Sequence, residues 1–401
     1  MPRRPTDHDR ATPIPLVALV LALVLVLGGA AAGVTFLDTH GSRVRPGGRA
    51  SSSAAWRACR PPELGMPAAT PGRLGGWPYR LLLRGTFGAV TVGRDGTDLL
   101  QACGPQETAL RVVRVSPSGR LLAVSHMFPR AALLASALLD RPGGVYLATA
   151  RLELAGTAAL PPYEIELYRL DPSTLSVTAR LGLGRGYAAE LALASGRVVV
   201  ATGGRLLALS LEGSRLETRP LLSFGRSVLE HLAAAGTSSL LVISTLVPGA
   251  TGLSARELLE TLRLHAGSGA TVLARRTLPP GSSVQALAAT SSSTFVVGGT
   301  GALTVVDSFR LPGLEAAPGR ALARLLTSLD AAGLDVAGRT LWVHTVTTLE
   351  CRLAKDGRLE ASTMLSGSPA PAVSAVWRTA EGTFALTGSG LGRLTAPRAC
   401  G

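Results

Sequence analysis

The sequence predicts an all-β fold: a single β-propeller of four-stranded blades, seven or six in number, carried behind one N-terminal transmembrane helix and a stalk. Three observations predict it. From Tyr79 onward, short alternating apolar runs are broken by turn residues every eight to twelve positions, the pattern of short antiparallel strands. These runs recur in units long enough to hold four strands each. Ahead of them, Leu16 to Val34 runs for nineteen residues without a charge or a strong polar group.

The N-terminal elements come first. Thr35, Phe36 and Leu37 extend the apolar run to twenty-two residues, about 33 Å at 1.5 Å per helical residue. That length spans a hydrocarbon core of about 30 Å. The expected organisation is therefore a cytoplasmic segment over 1–13, a signal-anchor helix over 14–37, a stalk over 38–78 and the ectodomain over 79–401. Arg3, Arg4 and Arg10 precede the helix, but Arg43, Arg45 and Arg49 follow it closely, so charge asymmetry is weak. The short leader and the long domain behind it favour an N-terminus inside. The expected location is the cell membrane, as a single-pass protein with its ectodomain outside the cytoplasm. The alternative is secretion after cleavage near Ala32, since Ala30-Ala31-Ala32 offers a peptidase small residues. The stalk is crowded with Gly, Pro, Ser and Ala; Trp56 and Trp77 lie in it, where they could dock it to the ring.

All four cysteines, Cys59, Cys103, Cys351 and Cys400, lie beyond the helix. None belongs to a CxxC pair or has a histidine at metal-ligand spacing, so no metal site is expected. An even number of thiols in an exported domain points to two disulfides. Shorter loops favour Cys59–Cys103 with Cys351–Cys400; Cys59–Cys400, tying the ends of the domain together, is the rival.

The repeating unit is an apolar strand, a tight small-residue turn and a more β-branched strand. It is visible from Ala109, Ala188, Glu230, Val284, Ser328 and Val373. A second hairpin follows most of these, with turns at Asp171-Pro172, Glu212-Gly213, Gly267 and Asp356-Gly357. Leu170, Leu209, Leu264, Leu353 and Leu394 precede the turns or end the last unit, at spacings of 39, 55, 89 and 41 residues, and the longest interval holds a further unit around Val305-Val306. A lone blade cannot bury both faces, so blades stack into a closed ring. The last unit lacks a fourth strand, and strands are left over in residues 79–104. Closure of the last blade by an N-terminal strand accounts for both. Ser254 to Leu264 carries a capping box at Ser254 and Glu257, but its place in the repeat predicts a turn leading into a strand from about Leu259. Phe128 to Gly144 and Leu246 to Ser254 read as inserts that cover the channel or make contacts, or else as further blade strands.

These hairpins resemble the blades of bacterial extracytoplasmic propellers of the quinoprotein-like and YVTN-like superfamily, over residues 79–397. The likeness is one of architecture. The Trp docking motif of the quinoprotein repeat, a WD dipeptide and a sialidase-type Asp box are all missing from the sequence, so no family site carries over.

The search for chemistry yields no catalytic residue, cofactor-binding residue or metal ligand. No GxSxG, HExxH or P-loop occurs. Gly182, Gly184 and Gly186 stand between two strands and open no helix, which excludes a dinucleotide fingerprint. Glu230 and His231 are adjacent on a predicted strand, where neighbours face opposite ways. His126, His265 and His344 fall on strands or turns away from any acidic cluster in the sequence, and Trp342 and Trp377 fall on core strands. The formal charge of +14 is almost all arginine, Lys355 being the only lysine, which reflects high-GC codon usage. The arginines are scattered, so no nucleic-acid partner is expected. The expected function is a membrane-anchored extracytoplasmic binding or interaction module. It would contact membrane lipid through its helix and an envelope protein or wall polymer through its ring. The alternatives are a propeller enzyme (hydrolase, lyase or quinone-dependent dehydrogenase) and a cell-envelope assembly factor; an enzyme is the less favoured, and no cofactor is expected.

Overall fold

The computed structural model describes residues 71–400 apart from 94, 104–108, 142, 153–162, 213, 237, 249–254, 267–268, 301–302, 317–321, 327–332, 346 and 366–372. The segment expected to span the membrane, the short leader ahead of it, Trp56 and Cys59 lie outside the described residues. Among those described, no helix is long and apolar enough to cross a membrane.

Strands β1 (Pro71–Leu74) and β2 (Trp77–Arg84) come first. Blade 1 follows, made of β3 (Phe87–Val92), β4 (Thr97–Cys103), β5 (Ala109–Val115) and β6 (Leu121–Val124), with the two-residue β7 (Phe128–Pro129) also paired to β5. Blade 2 is β8 (Ala137–Arg141), β9 (Gly144–Leu152), β10 (Tyr163–Leu170) and β11 (Val177–Gly186). Blade 3 is β12 (Ala189–Ala194), β13 (Arg197–Thr202), β14 (Arg205–Glu212) and β15 (Arg215–Ser223). Blade 4 is β16 (Val228–Ala234), β17 (Leu240–Val247), β18 (Arg256–Leu264) and β19 (Ala270–Thr277). In blade 5, β20 (Ser282–Ala289), β21 (Ser293–Thr300) and β22 (Leu303–Arg310) are followed by a fourth strand in two pieces, β23 (Glu315–Ala316) and β24 (Leu322–Leu326). Blade 6 is β25 (Gly333–Ala337), β26 (Thr340–His344), β27 (Thr348–Leu353) and β28 (Leu359–Met364). Blade 7 takes β29 (Val373–Thr379), β30 (Gly382–Thr387) and β31 (Gly390–Leu394) from the end of the described chain and β2 and β1 from its start.

The inner strands touch in sequence, β3 to β8, β12, β16, β20, β25 and β29, and β29 returns to β3, so the ring is closed with seven blades. Its core is distributed accordingly. Seven separate hydrophobic clusters each fill one seam between consecutive blades. Strand β13 shows how: Val198 and Val200 face the seam with blade 2, while Val199 and Ala201 face the seam with blade 4. Side chains alternate between the faces of a strand, and here both faces are covered, so the strand reads as an unbroken apolar run.

Closure by the N-terminal strand is as the sequence predicts. Tyr79 pairs with Leu394, and Arg84 with Gly390. A Cβ on Gly392 would lie 2.2 Å from the Tyr79 ring, so only glycine leaves that ring its place. The Tyr79 hydroxyl donates to the Gly390 carbonyl at 3.2 Å and meets the Thr387 hydroxyl at 3.3 Å. Trp77 packs edge-on against Trp342 of blade 6, with ring centroids 6.0 Å apart.

Several boundaries differ from the sequence reading. Strand pairing begins at Pro71, inside the stretch assigned to the stalk, because the turn at Gly75-Gly76 lets β1 fold back on β2. The unit at Ala109 is an outer hairpin, β5–β6, whereas the other five units contain inner ones. The inner hairpin of blade 1 is β3–β4, within the strands left over at the start. Phe128 to Gly144 is mainly blade structure, since it holds β7 and the inner strand β8. The strand after Ser254 starts at Arg256, three residues before Leu259.

Candidate functional site

The sharpest concentration of unusual chemistry lies at the inner end of blades 3, 4 and 5, on the face where β12, β16, β18 and β20 begin. Four ionisable side chains meet there: Glu190 on β12, Glu230 and His231 on β16, and Glu257 on β18. The register places them at one level. Leu246 of β17 pairs with Val228 on one side and with Glu257 on the other. Glu257 shares a strand face with Leu259, which packs in the seam between blades 4 and 5; alternation therefore turns its carboxyl into that seam, toward β20.

Adjacent residues on a regular strand could not cooperate, but β16 is not regular. Leu229 pairs with Thr245 and His231 with Ser244, so Glu230 is an extra residue, a β-bulge. Bulges re-aim side chains, and this one brings Glu230 within hydrogen-bonding reach of Glu257. The expectation that Glu230 and His231 point to opposite faces fails for this reason. Strand β20 carries a matching bulge between Val284 and Ala286, at Gln285. Val284 is the node of the cluster. Its carbonyl lies 3.2 Å from Nε2 of His231, and its amide is directed to the Glu257 carboxyl. Nδ1 of His231 stands 4.0 Å from a Glu190 oxygen.

Electrostatics at this level are set by burial. Glu257 is 4% exposed, and burial, followed by the nearby Glu230 charge, pushes its carboxyl up to about 10. Burial lifts Glu190 to about 7 and lowers His231. At neutral pH the Glu257–Glu230 pair therefore holds a proton. Among the described residues eight buried side-chain atoms have no hydrogen-bond partner, and Oε2 of Glu257 is the carboxylate oxygen among them. Among the described residues no group of three His, Cys, Asp or Glu is arranged to hold a metal ion.

Other polar clusters brace the ring. Arg114 of blade 1 is bonded to the fully buried Asp98 at 2.6 Å, reaches Asp140 of blade 2 at 3.3 Å, and donates to the Pro172 carbonyl. Burial and Asp98 raise Asp140 to about 6. His344, expected away from any acidic cluster, has a single acidic partner: Nε2 is bonded to Asp335 at 2.9 Å, and the same carboxylate oxygen accepts from the Val376 amide at 2.8 Å. That pair ties blade 6 to blade 7, because β25 places Asp335 between the two inner strands; the sequence gap of nine residues hid it. His126 packs on Phe128, and burial lowers it; His265 bonds Thr271 in a hairpin turn. Gly182, Gly184 and Gly186 lie within β11.

The cysteines fall as the shorter loops predict where both partners are described. Cys351 of β27 is bonded to Cys400, joining blade 6 to the segment that follows blade 7. Cys103, at the end of β4, is also in a disulfide; its expected partner, Cys59, lies outside the described residues.

No family model matches the chain, and no curated sequence does. Among solved structures, the extracellular domains 1-2 of Drosophila Semaphorin 1b are similar, with a TM-score of 0.51 over 79% of this chain and 87% of that one. Identity is 10%. The likeness is one of fold.

Proposed function

We propose that this chain is a membrane-anchored, extracytoplasmic propeller that works as a binding module, with the inner ends of blades 3 to 5 as its ligand site. The observation that carries this reading is the Glu257 carboxyl, buried beside a second carboxyl with an unpartnered oxygen. Burying a polar group without a partner costs stability, and strain or loss of this kind concentrates where a ligand completes the site. The rigid ring supports the reading further, since inner-strand residues of three blades are held together from distant parts of the chain. Residues 14–37 hold the protein to membrane lipid, and an envelope protein or wall polymer presents the ligand outside the cytoplasm.

A second reading, a propeller hydrolase or lyase, is favoured by the same carboxyl pair, because Glu257 holds a proton at neutral pH as a general acid must. Two measurements test the proposal. Fractionation of the native protein should leave it in the membrane pellet after a carbonate wash; recovery from the medium would remove the anchor. A thermal-shift screen of the full-length protein in detergent, run on wild type and Glu230→Gln, should return ligands that stabilise only the wild type and leave unchanged. Turnover of such ligands would move the assignment to the enzyme.

A further inference from the structure

Resting on that reading, the same site also says what kind of group it takes. The side chains that meet beside Glu257 are carboxyls, with the Val284 amide directed to one of them. Glu230 and Glu257 supply the carboxyls, and Oε2 of the buried Glu257 has no hydrogen-bond partner; Glu190 stands beyond His231. The elements packed around them put one cation in the seam, Arg276, and other groups hold it. Strands β17 and β20 contain no ionisable side chain. Arg256, next to Glu257 on β18, is exposed; Arg275 bonds Glu260 at 2.6 Å on the opposite face; and Arg276, in the same seam, bonds the Leu314 carbonyl at 3.1 Å, lies over Phe309 and faces Asp307 of β22. The one local base, His231, already spends Nε2 on the Val284 carbonyl.

We infer that the seam between blades 4 and 5 binds the ammonium group of a primary amine, which donates to the Glu257 and Glu230 carboxyls and displaces the proton they share. An ammonium is the group that fits: it is compact, carries three donors and no acceptor, and needs no planar slot of the kind a guanidinium fills. The balance of the step is simple. The amine arrives protonated, the carboxyl pair gives up one proton to solvent, and the site keeps its net charge.

The experiment is calorimetry on the full-length protein in detergent micelles. The probes are n-butylammonium, its neutral analogue n-butanol, N-methylguanidinium, and Ca²⁺, Mg²⁺ and Zn²⁺. Butylammonium should bind at one site, with an affinity that rises up to tenfold per pH unit between pH 6 and 8. Titrations in buffers of different ionisation enthalpy should report about one proton released. Glu257→Gln should abolish both the binding and the proton release, while Glu381→Gln, on a remote exposed turn, should change neither. Butylammonium binding that survives Glu257→Gln, or that releases no proton, overturns the inference. If butanol or a metal binds in a Glu257-dependent way and butylammonium does not, the ligand class is wrong and the site stands. If no probe, here or in the thermal-shift screen, is sensitive to Glu230 or Glu257, the site itself is wrong.

Discussion

At the scale of single residues, Glu257 is the position where stability and function pull apart. Its carboxyl is raised from an ordinary 4.5 to about 10, so between those values the folded protein holds a proton that the unfolded chain has released. The stabilisation from that proton is complete below pH 4.5 and is lost progressively as pH rises toward 10. Wild-type melting temperature should therefore fall as pH is raised from 5 to 9. Glu257→Gln, whose amide can donate to Glu230 without titrating, should flatten that profile and melt higher than wild type at pH 9. A variant less stable than wild type at pH 9 would show that the carboxyl is not a liability to the fold. Little of this was legible beforehand. Strand alternation would turn the neighbours Glu230 and His231 apart, but it holds only for a strand without a bulge. Nothing in a sequence of small and apolar residues marks where a bulge falls. In the sequence Glu257 completes a capping box with Ser254, because its real partner, on the inner strand of the same blade, sits 27 positions earlier.

At the scale of elements, the period of two and the turn residues carried most of the strand assignments. Turns at Asp171-Pro172 and Asp356-Gly357 close β10–β11 and β27–β28 as expected. What periodicity could not tell was which hairpin is inner and which is outer. Strands β5 and β13 are both buried on two faces, since every seam is filled from both sides, and only the pairing around the ring separates them. The seams also set the energetics. Leu262 is fully buried in the cluster between blades 3 and 4, so Leu262→Ala should cost about 2–5 kcal/mol, measurable by urea denaturation. A loss below about 1 kcal/mol would mean that the seam relaxes around the gap, against the close packing its burial implies. The split fourth strand of blade 5 was not legible, because β23 is two residues long and carries no period at all.

At the scale of the whole molecule, the sequence indicated a closed ring and the strand that closes it, and left six or seven blades open. The count failed to resolve because blade 1 was half hidden in the leftover strands and the inner strand of blade 2 in a supposed insert. Closure is reinforced by Cys351–Cys400, with a sequence separation of 49. By loop-closure entropy a bridge of that span is worth about 4 kcal/mol, so the Cys351→Ser/Cys400→Ser double variant should lower the urea midpoint accordingly; an unchanged midpoint would mean that the β2–β31 pairing alone holds the ring.

That pairing also bears on how the protein comes into being. Tyr79 waits for Leu394, so for most of synthesis β2 has no neighbour on one edge, and six blades can assemble before the seventh has its inner strands. Contacts this distant in sequence form late, and an open strand edge invites wrong partners and proteases. A chain broken off before Gly390 can never close. The fold thus checks its own completeness: only a molecule translated to the last blade becomes a ring, and every shorter product keeps the edge of β2 open.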